Sequence, residues 1–86
     1  QTAAPTAANV DANGELTVTG VTGATVEYQV EGSAEWNTIQ GNWNTTRFTS
    51  TEKLPEATKG KKINIRLTRA GEDPSASLQA TSTAWV

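Results

Sequence analysis

Among the side chains that could do chemistry, the most suggestive run is Asn42-Trp43-Asn44. A flat indole between two amides is suited to sugar recognition. The ring stacks on C–H faces while the amides, each both donor and acceptor, hydrogen-bond hydroxyls. Trp36 lies a few residues upstream and could join such a surface, so the candidate ligand-binding set is Trp43, Asn42, Asn44 and Trp36. A second reading stays open: Trp43 folds back and caps one end of a thin core, where a single buried indole contributes on the order of several kcal/mol.

Other chemistries are poorly supplied. The chain has no His and no Cys, and it lacks both a Gly-flanked nucleophilic Ser and a glycine-rich phosphate loop. The acidic pairs Glu31/Glu35 and Glu72/Asp73 would need one desolvated member to act as an acid–base couple, yet both fall in turn-like stretches. We therefore expect no catalytic residue and no enzymatic activity. Asp11, Asn13 and Glu15 alternate oxygen ligands around Gly14, but a calcium loop needs more oxygens than these, and an Asn-Gly turn accounts for them. No metal and no cofactor is expected. Asn44-Thr45-Thr46 fits a glycosylation sequon. Lys59, Lys61 and Lys62 form the one basic cluster, read as a solvated loop. With a net charge of −2 the chain lacks the basic footprint a nucleic-acid binder needs. No apolar stretch reaches the length of a membrane-spanning helix, so no membrane insertion is expected.

The elements that would position these residues are strands. Fifteen of 86 residues are Thr, spread along the chain, and Thr suits the wet face of a sheet. After a turn at 11–14, residues 15–21 alternate, with Leu16 and Val18 on one side. Residues 25–31 alternate again, with Val26, Tyr28 and Val30 inward, and 36–39 return as a hairpin partner. Residues 40–45 read as a polar loop with Trp43 at or near its tip. Residues 46–51 form a weaker strand around Phe48. Pro55 and Gly60 limit 52–62 to at most one helical turn. Residues 62–68 place Ile63, Ile65 and Leu67 inward, and 75–86 form a last strand with Leu78, Ala80 and Ala84 inward. The two triplets Val26/Tyr28/Val30 and Ile63/Ile65/Leu67 are expected to meet face to face between stacked sheets. The outward Glu27, Glu31, Arg66 and Arg69 are expected to guard sheet edges. About seven short antiparallel strands with no helical period predict an all-β sandwich.

The run from Thr25 to Trp36 (TVEYQVEGSAEW) resembles the hairpin of bacterial immunoglobulin-like and fibronectin type III-like surface modules. There an aromatic follows a Gly-containing turn. Leu54-Pro55 followed by Gly60 to Leu67 is similar to their loop-then-strand segment. The aromatic usual in that long strand is replaced here by Ile63 or Ile65. The resemblance implies an immunoglobulin-like or fibronectin type III-like β-sandwich. It also implies a non-catalytic structural or spacer role in a multidomain bacterial surface or secreted protein. Residues 1–9, rich in Ala and Thr, read as a linker or N-terminal arm, with 5–10 able to add an edge strand, and 10–86 as a single sandwich domain. The start at Gln1 and the absence of Cys, Met and His fit a piece of an extracellular protein, secreted, attached to a cell surface or on a virion. Neighbouring domains of the same polypeptide are then the expected partners, stacked through 1–9 and the segment near Trp85. The alternative is a carbohydrate-binding or adhesion module, including a phage tail or capsid decoration domain. It would recognise a cell-surface or plant polysaccharide through an exposed Trp43.

Overall fold

The computed structural model describes residues 1–81 and 84–86. Eight strands run in chain order: β1 Ala7–Val10, β2 Leu16–Thr19, β3 Thr25–Val30, β4 Asn37–Thr38, β5 Gly41–Asn44, β6 Arg47–Ser50, β7 Ile63–Thr68 and β8 Leu78–Gln79. A single 3-10 turn, Glu56–Thr58, is the one helical element among the described residues. The strands form two four-stranded antiparallel sheets, ordered β1-β2-β6-β5 and β4-β3-β7-β8, which stack as a β-sandwich.

The core follows from alternation. In β2, Leu16 and Val18 are buried between half-exposed threonines, and in β7, Ile63, Ile65 and Leu67 are fully buried between polar residues. The inner face of the first sheet consists of Ala8, Val10, Leu16, Val18 and Phe48; Val26, Tyr28, Ile63, Ile65 and Leu67 answer from the second.

The two apolar triplets do not oppose each other across the sandwich. They sit side by side in one sheet, with Val26 opposite Leu67, Tyr28 opposite Ile65 and Val30 opposite Ile63. Directly opposed residues of an antiparallel pair share a face, so both triplets build one inner surface. Alternation fixes which side of a strand is buried but leaves the neighbours of that strand open.

Residues 41–44, expected within a loop, form β5 and pair with β6 through a tight turn in which Thr45 takes a positive φ of 54°. Gly41 is required there, because a side chain would run into the Phe48 ring and the Thr49 carbonyl. Among the described residues the last strand is β8, two residues long, with Leu78 half-buried and Ala84 exposed; positions 82 and 83 of the expected strand 75–86 lie outside the described residues. Glu27 and Arg66 do not guard edges. They lie on β3 and β7, the central pair of their sheet, and bond to each other.

Where the ladder would stop, side chains extend it. The Leu16 N–H donates to Ser50 Oγ (2.9 Å) and the Leu67 N–H to Ser75 Oγ (2.8 Å), which satisfies donors that are buried. The segment 1–9 lies along the domain. Thr2 and Pro5 are buried, and the Thr2 N–H donates to the Asp73 carbonyl at 3.0 Å. At the other extremity, Trp85 is 2 % exposed and fills the end of the core. Its Nε1–H donates to Thr58 Oγ1 (3.2 Å), the Gly60 N–H donates to its carbonyl (2.9 Å), and its ring covers Gly14, where a Cβ would fall 2.6 Å away.

Candidate functional site

Trp43 sits at the rim where β5 leaves an opening toward the second sheet. Its ring packs on Phe48, with centroids 5.5 Å apart and planes tilted by 59°, and its Nε1–H donates to the Ala24 carbonyl at 2.9 Å. Strand alternation sends Asn42 and Asn44 to the opposite side, where both are exposed. The indole and the two amides therefore do not converge. Of the two readings of Trp43, the geometry matches the core cap. The rim cleft beside it, about 240 Å³, is lined by Ala24, Val26, Ile39, Trp43 and Phe48 among others.

Asn42 and Asn44 belong instead to the outer face of the first sheet. Register sets them in two cross-strand rows: Asn9, Thr17, Thr49 and Asn42 in one, and Ala7, Thr19, Arg47 and Asn44 in the other. A concavity of about 320 Å³ lies over β1, β2 and Arg47.

Trp36, the fourth candidate, stands on the outer face of the second sheet. Asn37 pairs with the inward-facing Tyr28 and Thr38 with the outward Glu27, so Trp36 falls in phase with Thr38 and points outward. The Arg66 guanidinium is 4.3 Å from the centroid of its ring, and Arg66 Nε donates to Glu27 Oε1 at 2.7 Å. Beside this stack runs a row of amides, Gln29, Asn64 and Gln79, on β3, β7 and β8. Asn64 Nδ2 donates to Gln29 Oε1 (3.3 Å) and Gln79 Nε2 to Glu31 Oε1 (3.1 Å). Comparison with protein-family models, curated proteins and solved structures finds no match for this chain. Its own side chains carry the functional argument.

The remaining sequence candidates take structural places. Asp11 Oδ1 accepts the N–H groups of Asn13 (2.8 Å) and Glu15 (2.9 Å), which closes the turn between β1 and β2. Among the described residues no three acidic, His or Cys side chains gather as metal ligands. Glu31 accepts from Gln79 and Glu72 from the Thr2 hydroxyl, 3.1 Å each, so each of these carboxylates ties two segments of the chain together. Lys59 lies over the Trp85 ring at 4.9 Å and bonds Glu56 at 2.8 Å, holding that exposed carboxyl below its ordinary pKa. No helix among the described residues is long and apolar enough to cross a membrane.

Two features escape the sequence reading. One is the covering of Arg66 by Trp36, thirty positions apart in the chain and joined only by sheet register. The other is the burial of Trp85 beneath the β1–β2 turn. Gly14 carried a faint signal for the second, since a glycine can mark close approach of another group as well as a turn.

Proposed function

We propose that this domain is an immunoglobulin-like, non-catalytic spacer module of a multidomain extracellular bacterial protein, built to carry load between its two ends. Strand order supports the fold assignment. Immunoglobulin sandwiches set strands A-B-E-D in one sheet and C-F-G in the other, with an added C′ beside C in some types. The orders β1-β2-β6-β5 and β4-β3-β7-β8 follow that scheme. The disulfide of antibody domains has no counterpart in a Cys-free chain, and Tyr28 stands on the strand that carries their core Trp.

The observation that carries the spacer role is the path of the two chain ends. The N-terminal arm docks at the β7–β8 turn through Asp73, while Trp85 docks at the β1–β2 turn and beside Gly60. These sites lie beyond opposite ends of β7, so the two docked segments leave the sandwich at opposite ends of that strand. Between these ends, β1 and the closing segment run parallel. The Val10 N–H donates to the Thr81 carbonyl (2.8 Å), and the Thr81 N–H to the Ala8 carbonyl (2.9 Å). Tension applied to the ends loads both bonds together in shear rather than one after the other. Trp85 is spent on this core, so contact with a following domain falls to the surrounding turns, 11–15, 31–35 and 51–62.

Single-molecule pulling tests the proposal. Extension from the two ends should give a distinct unfolding peak, lowered when Val10→Pro or Thr81→Pro removes a bridging N–H. Unfolding at end-to-end forces no higher than when β5 and β6 are peeled apart from their shared turn would remove the load-bearing role.

A further inference from the structure

We propose that the outer face of the β4-β3-β7-β8 sheet is a binding platform for an uncharged polysaccharide strand. The Trp36 indole is its stacking surface, and Gln29, Asn64, Gln79 and Glu31 form its hydrogen-bonding row. The site is distinct from the spacer role and does not depend on it.

The orientation of Trp36 follows from what it covers. Arg66 and Glu27 stand in the middle of a solvent-facing sheet side, yet their side chains are only 24 % and 19 % exposed. The group over them is the indole, whose centroid lies 4.3 Å from the guanidinium. One ring face is thus spent on the ion pair, and the indole as a whole stays part-exposed on the outer side of the sheet. The guanidinium contact holds the ring in place, so a ligand need not pay the ordering entropy of a free Trp side chain.

Charge selects the ligand class. Glu27 neutralises Arg66 directly beneath the ring, and Lys62 stands opposite Glu31 at the end of the row, where the Glu31 N–H donates to the Lys62 carbonyl at 3.0 Å, so the face carries no net charge. A charged polymer of either sign gains nothing there, and a cation finds its place beneath the indole already taken by Arg66. The amide row asks for groups that both donate and accept. The Asn64 and Gln79 amide nitrogens donate to Gln29 and Glu31, and their amide oxygens hold no partner among the described residues. Sugar hydroxyls meet that demand, and sugar C–H faces meet the exposed part of the indole. Neighbouring strands are spaced about 4.8 Å apart, so the platform from β4 to β8 is about 14 Å wide, room for a short run of sugar rings. Apart from Trp36 the face is polar, without the cluster of apolar anchors that a protein partner needs.

Titration of the 86-residue chain with neutral cello-, xylo-, manno- and chito-oligosaccharides tests the site, with polygalacturonate as the anionic comparison. Both calorimetry and tryptophan emission are read. At least one neutral series should bind saturably and shift the emission. Trp36→Ala should weaken that binding at least about tenfold, and Asn64→Ala or Gln79→Ala a few fold, with near-UV circular dichroism and melting showing that each variant is folded. Trp43→Phe should bind as the parent does. Failure of every neutral series, binding that survives Trp36→Ala, or binding confined to polygalacturonate would each overturn the proposal.

Discussion

Trp43 and Trp36 lie seven residues apart, one within β5 and the other just before β4, yet they meet different environments. Trp43 closes the rim of the sandwich: its ring lies on Phe48, and its N–H is bonded to the Ala24 carbonyl. Trp36 lies on the outside of the other sheet over an ion pair, with no hydrogen bond to its N–H among the described residues. Strand phase makes the difference. In β5 the odd positions face inward and the amides outward; at the start of β4, phase with Thr38 turns the indole to the surface. Both indoles are half-buried, but the aromatic flanked by polar neighbours in sequence packs against the core, and the one adjoining the apolar strands lies on the outer face of a sheet. Local composition therefore misleads about which indole is available to a ligand.

The contrast implies an order of mutational cost. Trp85→Ala should cost most, about 3–5 kcal/mol as for other buried aromatic truncations. That is a large part of the roughly 5–15 kcal/mol that holds a typical domain together, and chemical denaturation would measure it. Trp43→Ala should cost somewhat less, about 2–3 kcal/mol, because the indole is half-exposed. Trp43→Phe, which keeps most of the packing and loses the bond to Ala24, should cost about 1 kcal/mol. A Trp43→Ala variant as stable as the parent would break the contrast outright.

Gly14→Ala probes the pole that Trp85 fills. Gly14 has a φ of +82°, and its Cβ would meet the Trp85 ring, so a loss of about 1–3 kcal/mol is expected, read as a fall in melting temperature. Trp36→Ala should be the mildest of these changes at about 1 kcal/mol or less, the range of exposed cation–π contacts and ion pairs. A double-mutant cycle with Arg66→Ala would isolate that contact.

Alkaline pH separates inside from outside in another way. Burial, aided by the negative charge of Glu52, raises the pKa of Tyr28 above its ordinary value. The folded state then holds this proton more tightly than the unfolded chain does. Stability is unaffected well below pH 10 and falls as pH rises from about 10 through the raised value. Tyr28→Phe should flatten that part of a stability–pH curve measured by denaturant titration.

Much of the sandwich was legible because alternation is local. The patterns of β2, β3 and β7 state their buried faces outright, and the returning strand after Gly32 forms β4 as expected. The misplaced features are those set by distant partners. β5 has a single large apolar residue and a turn without glycine, so only its pairing with β6 reveals it. The lateral pairing of β3 with β7 depends on how the chain crosses between sheets, which no run of residues encodes by itself. For the candidate site, the sequence identified the relevant residue types but grouped them by chain proximity. The structure instead groups Asn42 and Asn44 with Thr17, Thr49 and Arg47, and Trp36 with Arg66 and Asn64.

Exchange of the three indole N–H protons with solvent deuterium, followed by NMR on the intact chain, addresses the contrast most directly. The bonded protons of Trp85 and Trp43 should exchange slowly, with Trp85 the slower, and Trp36 should exchange at close to the rate of a free indole. A Trp43 proton lost as fast as that of Trp36, or a Trp36 proton protected like that of Trp85, would contradict the assignment of one tryptophan to the surface and two to the core.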